Sequence, residues 1–319
     1  MRIIHRKPWN LPERLVTPED IFLNRRGFLA AAAIMAAGKA GAEEAKPDPR
    51  LAYYPAAVNP AFRDAGRAIT AEEDNTTFNN FYEFGASKRI ATLAQSLETV
   101  PWAMMIDGEV EKPFTIDFDD LMKKVSLEMR VVRHRCVEAW AMVVPWTGFP
   151  LSQLVSLAKP TGEARYVRFE TFHKPNMAPG QKASLFGDFP WPYVEGLTME
   201  EAMNDLAFMV TGAYGKPLPK QMGAPIRLHC PWKYGFKSIK SVVRVSFTKD
   251  RPVSFWEQIG PGEYGFWANV NPEVAHPRWS QDEERMLGSE ERFPTQLYNG
   301  YGEWVAHLYK DIKGEALFM

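Results

Sequence analysis

The sequence predicts an α+β fold built of mixed β-sheets with few long helices. Aromatic residues make up 13% of the 319 residues and prolines number 25, a combination that suits strands and ordered loops more than a helix bundle. Long amphipathic patterns at helical spacing are few. Short segments of strand character follow one another instead, separated by Pro, Gly and Asp-Gly punctuation.

Near the start, Asn24-Arg25-Arg26-Gly27-Phe28-Leu29 precedes an Ala-rich run from Ala30 to Ala37. A paired arginine directly before a weakly apolar segment looks like a twin-arginine signal, which serves the export of folded and commonly cofactor-loaded proteins. The run is far shorter than the roughly 20 apolar residues of a spanning helix. Ala40-Gly41-Ala42 supplies a small-x-small cleavage signature. Residues 1–42 are therefore expected to be a signal peptide recognised by the twin-arginine export machinery, with residues 43–319 as one mature domain in the periplasm.

Residues 43–75 are polar, broken by prolines and without a sustained period, and read as an arm over a domain surface. Residues 102–106, the turn pair Asp107-Gly108 and residues 113–116 predict a two-stranded ribbon. Residues 117–124 place acids first and lysines last, the order that suits a helix dipole, and predict a short helix. Residues 127–136 predict a strand delivering Cys136 at its end, followed by an apolar stretch that runs to Pro145 and Trp146. Residues 150–158 predict a helix stopped by Lys159-Pro160. Residues 165–173 alternate, with Arg165, Val167, Phe169 and Thr171 on one face and Tyr166, Arg168, Glu170 and Phe172 on the other. Residues 198–204 predict a short helix with Glu200 and Glu201 in its first turn, and residues 206–211, 225–230 and 241–248 predict strands. Beyond Pro252 the pattern dissolves into an aromatic tail broken by Gly and Pro. No repeat and no second domain boundary is visible.

Residues 1–42 carry seven of the 38 Lys and Arg and three of the 39 Asp and Glu, which leaves the mature chain 31 against 36 and a formal charge of −5. Such a balance speaks against nucleic acid as a partner. The only cysteines are Cys136 and Cys230. In an exported protein a pair of cysteines suggests a disulfide, but a chain that folds in the reducing cytoplasm has less opportunity to form one. No Cys-x-x-Cys-His motif or iron–sulfur spacing occurs, so haem and cluster chemistry must lie elsewhere.

Arg133-His134-Arg135-Cys136-Val137-Glu138-Ala139-Trp140 sets a soft ligand beside three potential cations. Nearby positive charge lowers a thiol pKa and favours the thiolate that binds metal. In an extended segment His134, Cys136 and Glu138 share one face and Arg133 and Arg135 the other. The bland alternative is a small buried hydrophobe. A second cluster, Arg227, Lys233, Lys237, Lys240, Arg244 and Lys249, lies in residues 225–249, a stretch with no Asp or Glu. It would suit an anionic phosphate or, equally, a solvated strand face. Gly235 allows close backbone approach to a ligand or simply turns the chain. Asn79, Asn80 and Tyr82 are polar groups that could also tie loops.

Three motifs occur in order: Asn79-Asn80-Phe81-Tyr82-Glu83-Phe84-Gly85, Arg135-Cys136-Val137-Glu138-Ala139-Trp140 and Pro231-Trp232-Lys233-Tyr234-Gly235-Phe236-Lys237. From about residue 75 onward the chain resembles the periplasmic molybdopterin subunits of protein-methionine-sulfoxide reductase systems, in the sulfite-oxidase fold superfamily. The resemblance implies a sulfite-oxidase-like molybdopterin-binding domain holding Mo-molybdopterin, with Cys136 as the metal ligand and Glu138 beside it. It also implies cofactor contacts from Asn79, Tyr82, Glu83, Thr171, Arg227, Ser238, Ile239 and Lys240. Met222 stands where members of that family carry Asn, and Cys230 matches no functional position. The activity implied is reduction of methionine sulfoxide in oxidised periplasmic proteins by oxygen-atom transfer to Mo(IV), in a monomeric catalytic subunit fed by a haem-containing membrane partner. The alternatives are a sulfite-oxidising molybdoenzyme on the same fold and a cofactor-free periplasmic binding protein.

Overall fold

A computed structural model describes residues 49–182 and 189–319. The expected export signal, its cleavage site and the boundary after residue 42 lie outside the described residues. The arm is present from residue 49, touching the main body through a bridge between Val58 and Met129, and leads into helix α1 (Glu72–Thr77).

The predicted ribbon is formed by β1 (Ala103–Gly108) and β2 (Phe114–Asp117), antiparallel with Met104 opposite Ile116. Helix α2 (Phe118–Met122) follows, with Asp119 and Asp120 in its first turn. Strand β3 (Glu128–Arg135) ends one residue before Cys136. Strand β4 (Trp140–Pro150) does not stop at Pro145: that residue lies opposite Val131, and its carbonyl accepts the Tyr214 N–H at 3.0 Å. All but its last residue are buried, which explains an apolar run without alternation.

Helix α3 (Leu151–Ala158) ends as expected, with Lys159 in the left-handed region. Strand β5 (Tyr166–Thr171) buries Val167, Phe169 and Thr171, the face predicted by the alternation. Strand β6 (Val194–Thr198) escapes a period-2 reading because its first four residues are all buried. Helix α4 (Met199–Met203) starts with a capping box in which Thr198 and Glu201 satisfy each other's backbone N–H groups. The remaining strands are β7 (Phe208–Ala213), β8 (Lys216–Pro217), β9 (Arg227–His229) and β10 (Val242–Thr248).

The tail after Pro252 is structured, against expectation. It carries α5 (Phe255–Ile259), β11 (Glu283–Met286), β12 (Arg292–Pro294) and α6 (Gly302–Val305). Ser254 and Glu257 form a capping box for α5, while the short strands carry mainly charged residues and no apolar period. Burial of Phe255, Phe266, Trp267, Tyr298 and Tyr309 makes the tail part of the core, each large side chain contributing roughly 2 kcal/mol.

Two sheets result. One has the order β2-β1-β10-β5-β6; the other has β12-β11-β4-β7-β8, with β3 paired to β4 and β9 to β7. Parallel pairs β1–β10 and β11–β4 sit among antiparallel ones, so the sheets are mixed and the helices short. Between β9 and β10 the chain crosses from one sheet to the other. No helix among the described residues is long and apolar enough to cross a membrane.

Candidate active site

A cleft of about 890 Å³, counted out to its mouth, opens where that crossing meets three other segments. One wall is the turn between β3 and β4, another is residues 78–83, and the crossing itself supplies Arg227 and residues 235–240. Trp256 and Tyr264 from the tail complete the mouth.

Cys136 sits on the β3–β4 turn. Its N–H donates to the Trp140 carbonyl at 2.9 Å and its carbonyl accepts the Ala139 N–H at 3.1 Å. Ala139 lies at φ 60°, the left-handed region that a tight turn requires. The tail clamps this turn from outside, since Trp279 Nε1 and Gln281 Nε2 both donate to the Val137 carbonyl, at 2.7 and 2.8 Å. Around Sγ lie the Glu138 backbone N–H at 3.5 Å, Asn80 Nδ2 at 3.6 Å and Glu138 Oε2 at 3.6 Å. Glu138 also accepts from Trp140 Nε1 at 3.1 Å and pairs with Lys88 at 2.6 Å. Burial alone would raise the Glu138 carboxyl; the Lys88, Trp140 and Asn80 hydrogen bonds outweigh it and hold the group below its ordinary value.

The predicted separation of faces holds, although Glu138 reaches Cys136 through a turn and not along a strand. Arg135 points away, donating from Nε to Glu284 and from Nη2 to Gln281, and Arg133 donates to the Ala65 carbonyl. The expected cationic activation of the thiol is not realised by these arginines: burial, followed by the Glu138 carboxylate, pushes Cys136 up to about 12. Cys136 and Cys230 are both free and buried, which excludes a disulfide between them in this structure. Cys230 donates its N–H to Ser238 Oγ at 3.2 Å.

Of the expected cofactor contacts, Asn79, Tyr82, Glu83, Arg227, Ser238, Ile239 and Lys240 all line the cleft together with Cys136 and Glu138. Thr171 does not. It is buried on the inner face of β5 and its hydroxyl donates to the Ser241 carbonyl at 3.1 Å, so it stiffens the crossing from behind.

The basic run divides into three groups. Lys233 and Lys237 are buried in ion pairs with Glu201 and Glu195, at 2.5 and 2.6 Å. Arg244 and Lys249 pair near the surface with Asp107 and Glu163. Arg227 and Lys240 alone turn to the cleft, and neither has a carboxylate within salt-bridge distance among the described residues. Arg227 donates to the carbonyls of Met222 and Ser238, both at 2.9 Å. Burial draws Arg227 down to about 10 and Lys240 to about 7, the second helped by Arg227, while burial lifts Glu83 to about 7. Gly235 is a close-approach glycine, because a Cβ there would stand 2.4 Å from His134 Nε2.

Several cleft residues carried no distinctive signal. Asn80 was named only as a polar loop residue, yet it touches Sγ. Its orientation is set by Lys88, which donates to Oδ1 and leaves Nδ2 facing Cys136 and Glu138. At the mouth Trp256 packs edge-on against Tyr82 and tilted against Tyr264, with ring centroids 4.9 and 5.2 Å apart. In the interior Asn79 Oδ1, Asn75 Oδ1 and Trp146 Nε1 are buried without hydrogen-bond partners among the described residues. Orphaned polar atoms in this number are uncommon in a folded interior.

Residues 91–256 match the family described as oxidoreductase molybdopterin binding domain. The fold is also similar to that of the sulfane dehydrogenase SoxCD from Paracoccus pantotrophus, at 17% sequence identity and a TM-score of 0.44, over 75% of this chain and 68% of that one. The second likeness is too distant to bear on activity.

Proposed function

The chain belongs to the family of oxidoreductases with a molybdopterin-binding domain, and from that premise we propose that its cleft reduces methionine sulfoxide in oxidised proteins. The cofactor of this family is Mo-molybdopterin, and the cleft suits it. No group of three or more His, Cys, Asp or Glu among the described residues is placed to hold a metal, so a metal on Cys136 would need ligands beyond such a cluster, as dithiolene sulfurs would supply. A soft thiolate suits such a centre, and metal binding would draw the proton from the buried thiol. The partnerless Asn79 Oδ1, Asn75 Oδ1 and Trp146 Nε1 offer an acceptor-and-donor set for a hydrogen-bonding ring. Arg227 and Lys240 offer positive charge to a phosphate.

When bound, the molybdenum centre supplies two-electron oxygen-atom transfer. The chain's own work is to hold and to select. Asn80 and the Glu138 N–H surround Sγ with donors, which moderates the charge on a ligand thiolate. Glu138, kept anionic by Lys88, sits where it can accept and release a proton as the substrate oxygen leaves. Tyr82, Trp256 and Tyr264 form an aromatic mouth suited to a thioether side chain, since sulfur packs favourably against aromatic rings.

The observation that most supports a sulfoxide over sulfite is the charge at the reacting end. The groups within hydrogen-bond distance of Sγ are the Glu138 carboxylate, the Glu138 N–H and the Asn80 amide, the Lys88 charge beside them is taken up by Glu138, and Arg227 is the only arginine lining the cleft among the described residues. A neutral sulfoxide tolerates that setting; a sulfite dianion calls for cations there. The proposal extends to a periplasmic, monomeric catalytic subunit; the sequence carries no Cys-x-x-Cys-His or iron–sulfur motif, so electrons come from elsewhere, and the family resemblance implies a haem-containing membrane partner as their source. Turnover of free and protein-bound methionine sulfoxide with a reduced viologen dye, set against sulfite oxidation, tests it. Sulfoxide reduction with negligible sulfite turnover is expected; the reverse would overturn the reading.

A further inference from the structure

Behind Cys136 two histidines stack. The His134 and His229 rings lie 5.4 Å apart at 27°, with Nδ1 of His134 3.3 Å from Nε2 of His229. Both are buried. Among the described residues neither has a carboxylate partner, so a charged ring here would be uncompensated and both are neutral imidazoles. One nitrogen of the contact must then donate and the other accept.

The far ends of the two rings decide which. Nδ1 of His229 is sealed in the interior without a hydrogen-bond partner among the described residues. Nε2 of His134 points at Gly235, and both His134 and Gly235 line the cleft. If His134 donated, His229 would carry its proton on the sealed Nδ1, leaving a buried N–H with no acceptor. If His229 donates, the sealed atom is a bare lone pair, the more tolerable of the two defects. The second arrangement also puts both rings in the Nε2–H form, the intrinsically favoured tautomer of neutral imidazole.

We infer that His229 is a positioning residue that donates its Nε2–H to His134 Nδ1 and thereby fixes His134 as an Nε2–H donor facing the cleft, directed at an acceptor atom of the bound pterin-dithiolene. Gly235 is part of the device, since a side chain there would occupy the space through which Nε2 faces the cleft. The inference rests on the cofactor-holding reading of the cleft and is independent of the substrate reduced there.

The test is nitrogen-15 histidine labelling of the purified holoprotein with long-range proton–nitrogen correlation at neutral pH. With six histidines in the chain, the two signals are assigned by their loss in His134→Gln and His229→Gln. Both rings are expected to show a protonated Nε2 and a bare Nδ1. An Nδ1–H pattern for His134, or an imidazolium at either position, overturns the inference. In a second arm His229→Phe keeps the ring stack and removes the donor. Pterin fluorescence per chain after exhaustive dialysis should fall several-fold and the His134 signal should shift toward the other tautomer; unchanged tautomer and unchanged pterin retention would contradict a positioning role.

Discussion

Lys240 is the most exacting place to test the cleft, because one substitution should move two measurements in opposite directions. Burial and the neighbouring Arg227 depress its ammonium from 10.5 to about 7. A lysine whose folded value lies below its unfolded value destabilises the fold. The penalty is complete below pH 7 and fades as pH rises from about 7 toward 10.5, where the unfolded chain also gives up the proton. At 1.36 kcal/mol per unit the full penalty is at most about 5 kcal/mol; partial solvent access brings a working figure to ~2 kcal/mol. Glu83 does not confuse the reading at pH 6. Its folded carboxyl, lifted to about 7 by burial, is mostly protonated there, and loss of Lys240 only raises it further. Lys240→Met in cofactor-free protein at pH 6 should therefore raise stability by ~2 kcal/mol, a melting shift of roughly 5 °C for a chain of this size, with the gain vanishing toward pH 10. The same variant made in a molybdopterin-producing host should retain several-fold less cofactor, since the phosphate partner is gone. Calorimetry and pterin fluorescence read the two effects. A cofactor-free variant less stable than the parent, or one that keeps a full complement of pterin, would refute the assignment of Lys240 as a charge held for an anion.

Glu138→Gln should lower turnover by at least about tenfold while leaving molybdenum content nearly unchanged, as expected of a group that moves a proton rather than holds the cofactor; equal losses of both would make Glu138 structural. Cys230→Ser buries a hydroxyl in an apolar site and should cost about 1–2 kcal/mol by thermal denaturation, with molybdenum retained. Lys237→Met should destabilise the fold by about 3–5 kcal/mol because it strands Glu195 in the interior; Lys237→Met combined with Glu195→Leu should recover most of that loss in chemical denaturation, and failure to recover it would contradict the stranded Glu195 charge as the cause.

What was legible in the sequence followed from local rules. The Lys159-Pro160 stop, the alternation of β5 and the acidic first turn of the helix after Thr198 each express a short-range preference, and the structure keeps all three; the ribbon also forms, but Asp107 and Gly108 are its last β1 residues, paired with β10, and residues 109–113 make the turn. Strand β6 and the tail were not legible because long-range packing makes them. Glu195 breaks the apolar pattern of β6 and is tolerated only by Lys237, 42 positions away in the chain. In the site, Cys136 stood out through its chemistry, whereas Asn80 and Lys88 acquire meaning only when the fold brings residues 80 and 88 against the β3–β4 turn. The six basic residues after Pro225 were the most misleading feature: composition shows no acids nearby in sequence, but the acids that neutralise Lys233, Lys237, Arg244 and Lys249 arrive from distant segments. The two that remain, Arg227 and Lys240, are the informative ones. Thr171 shares the alternation of β5 but faces Ser241, not the cleft.

Metal analysis joined to pterin fluorescence, on the parent protein and on Cys136→Ser, both purified from a molybdopterin-producing host, tests the central claim most directly. The account predicts about one molybdenum per chain in the parent, with the metal lost in the serine variant because the hard hydroxyl cannot replace the thiolate. Neither metal nor pterin in the parent, or full molybdenum retention without the Cys136 thiol, would contradict it.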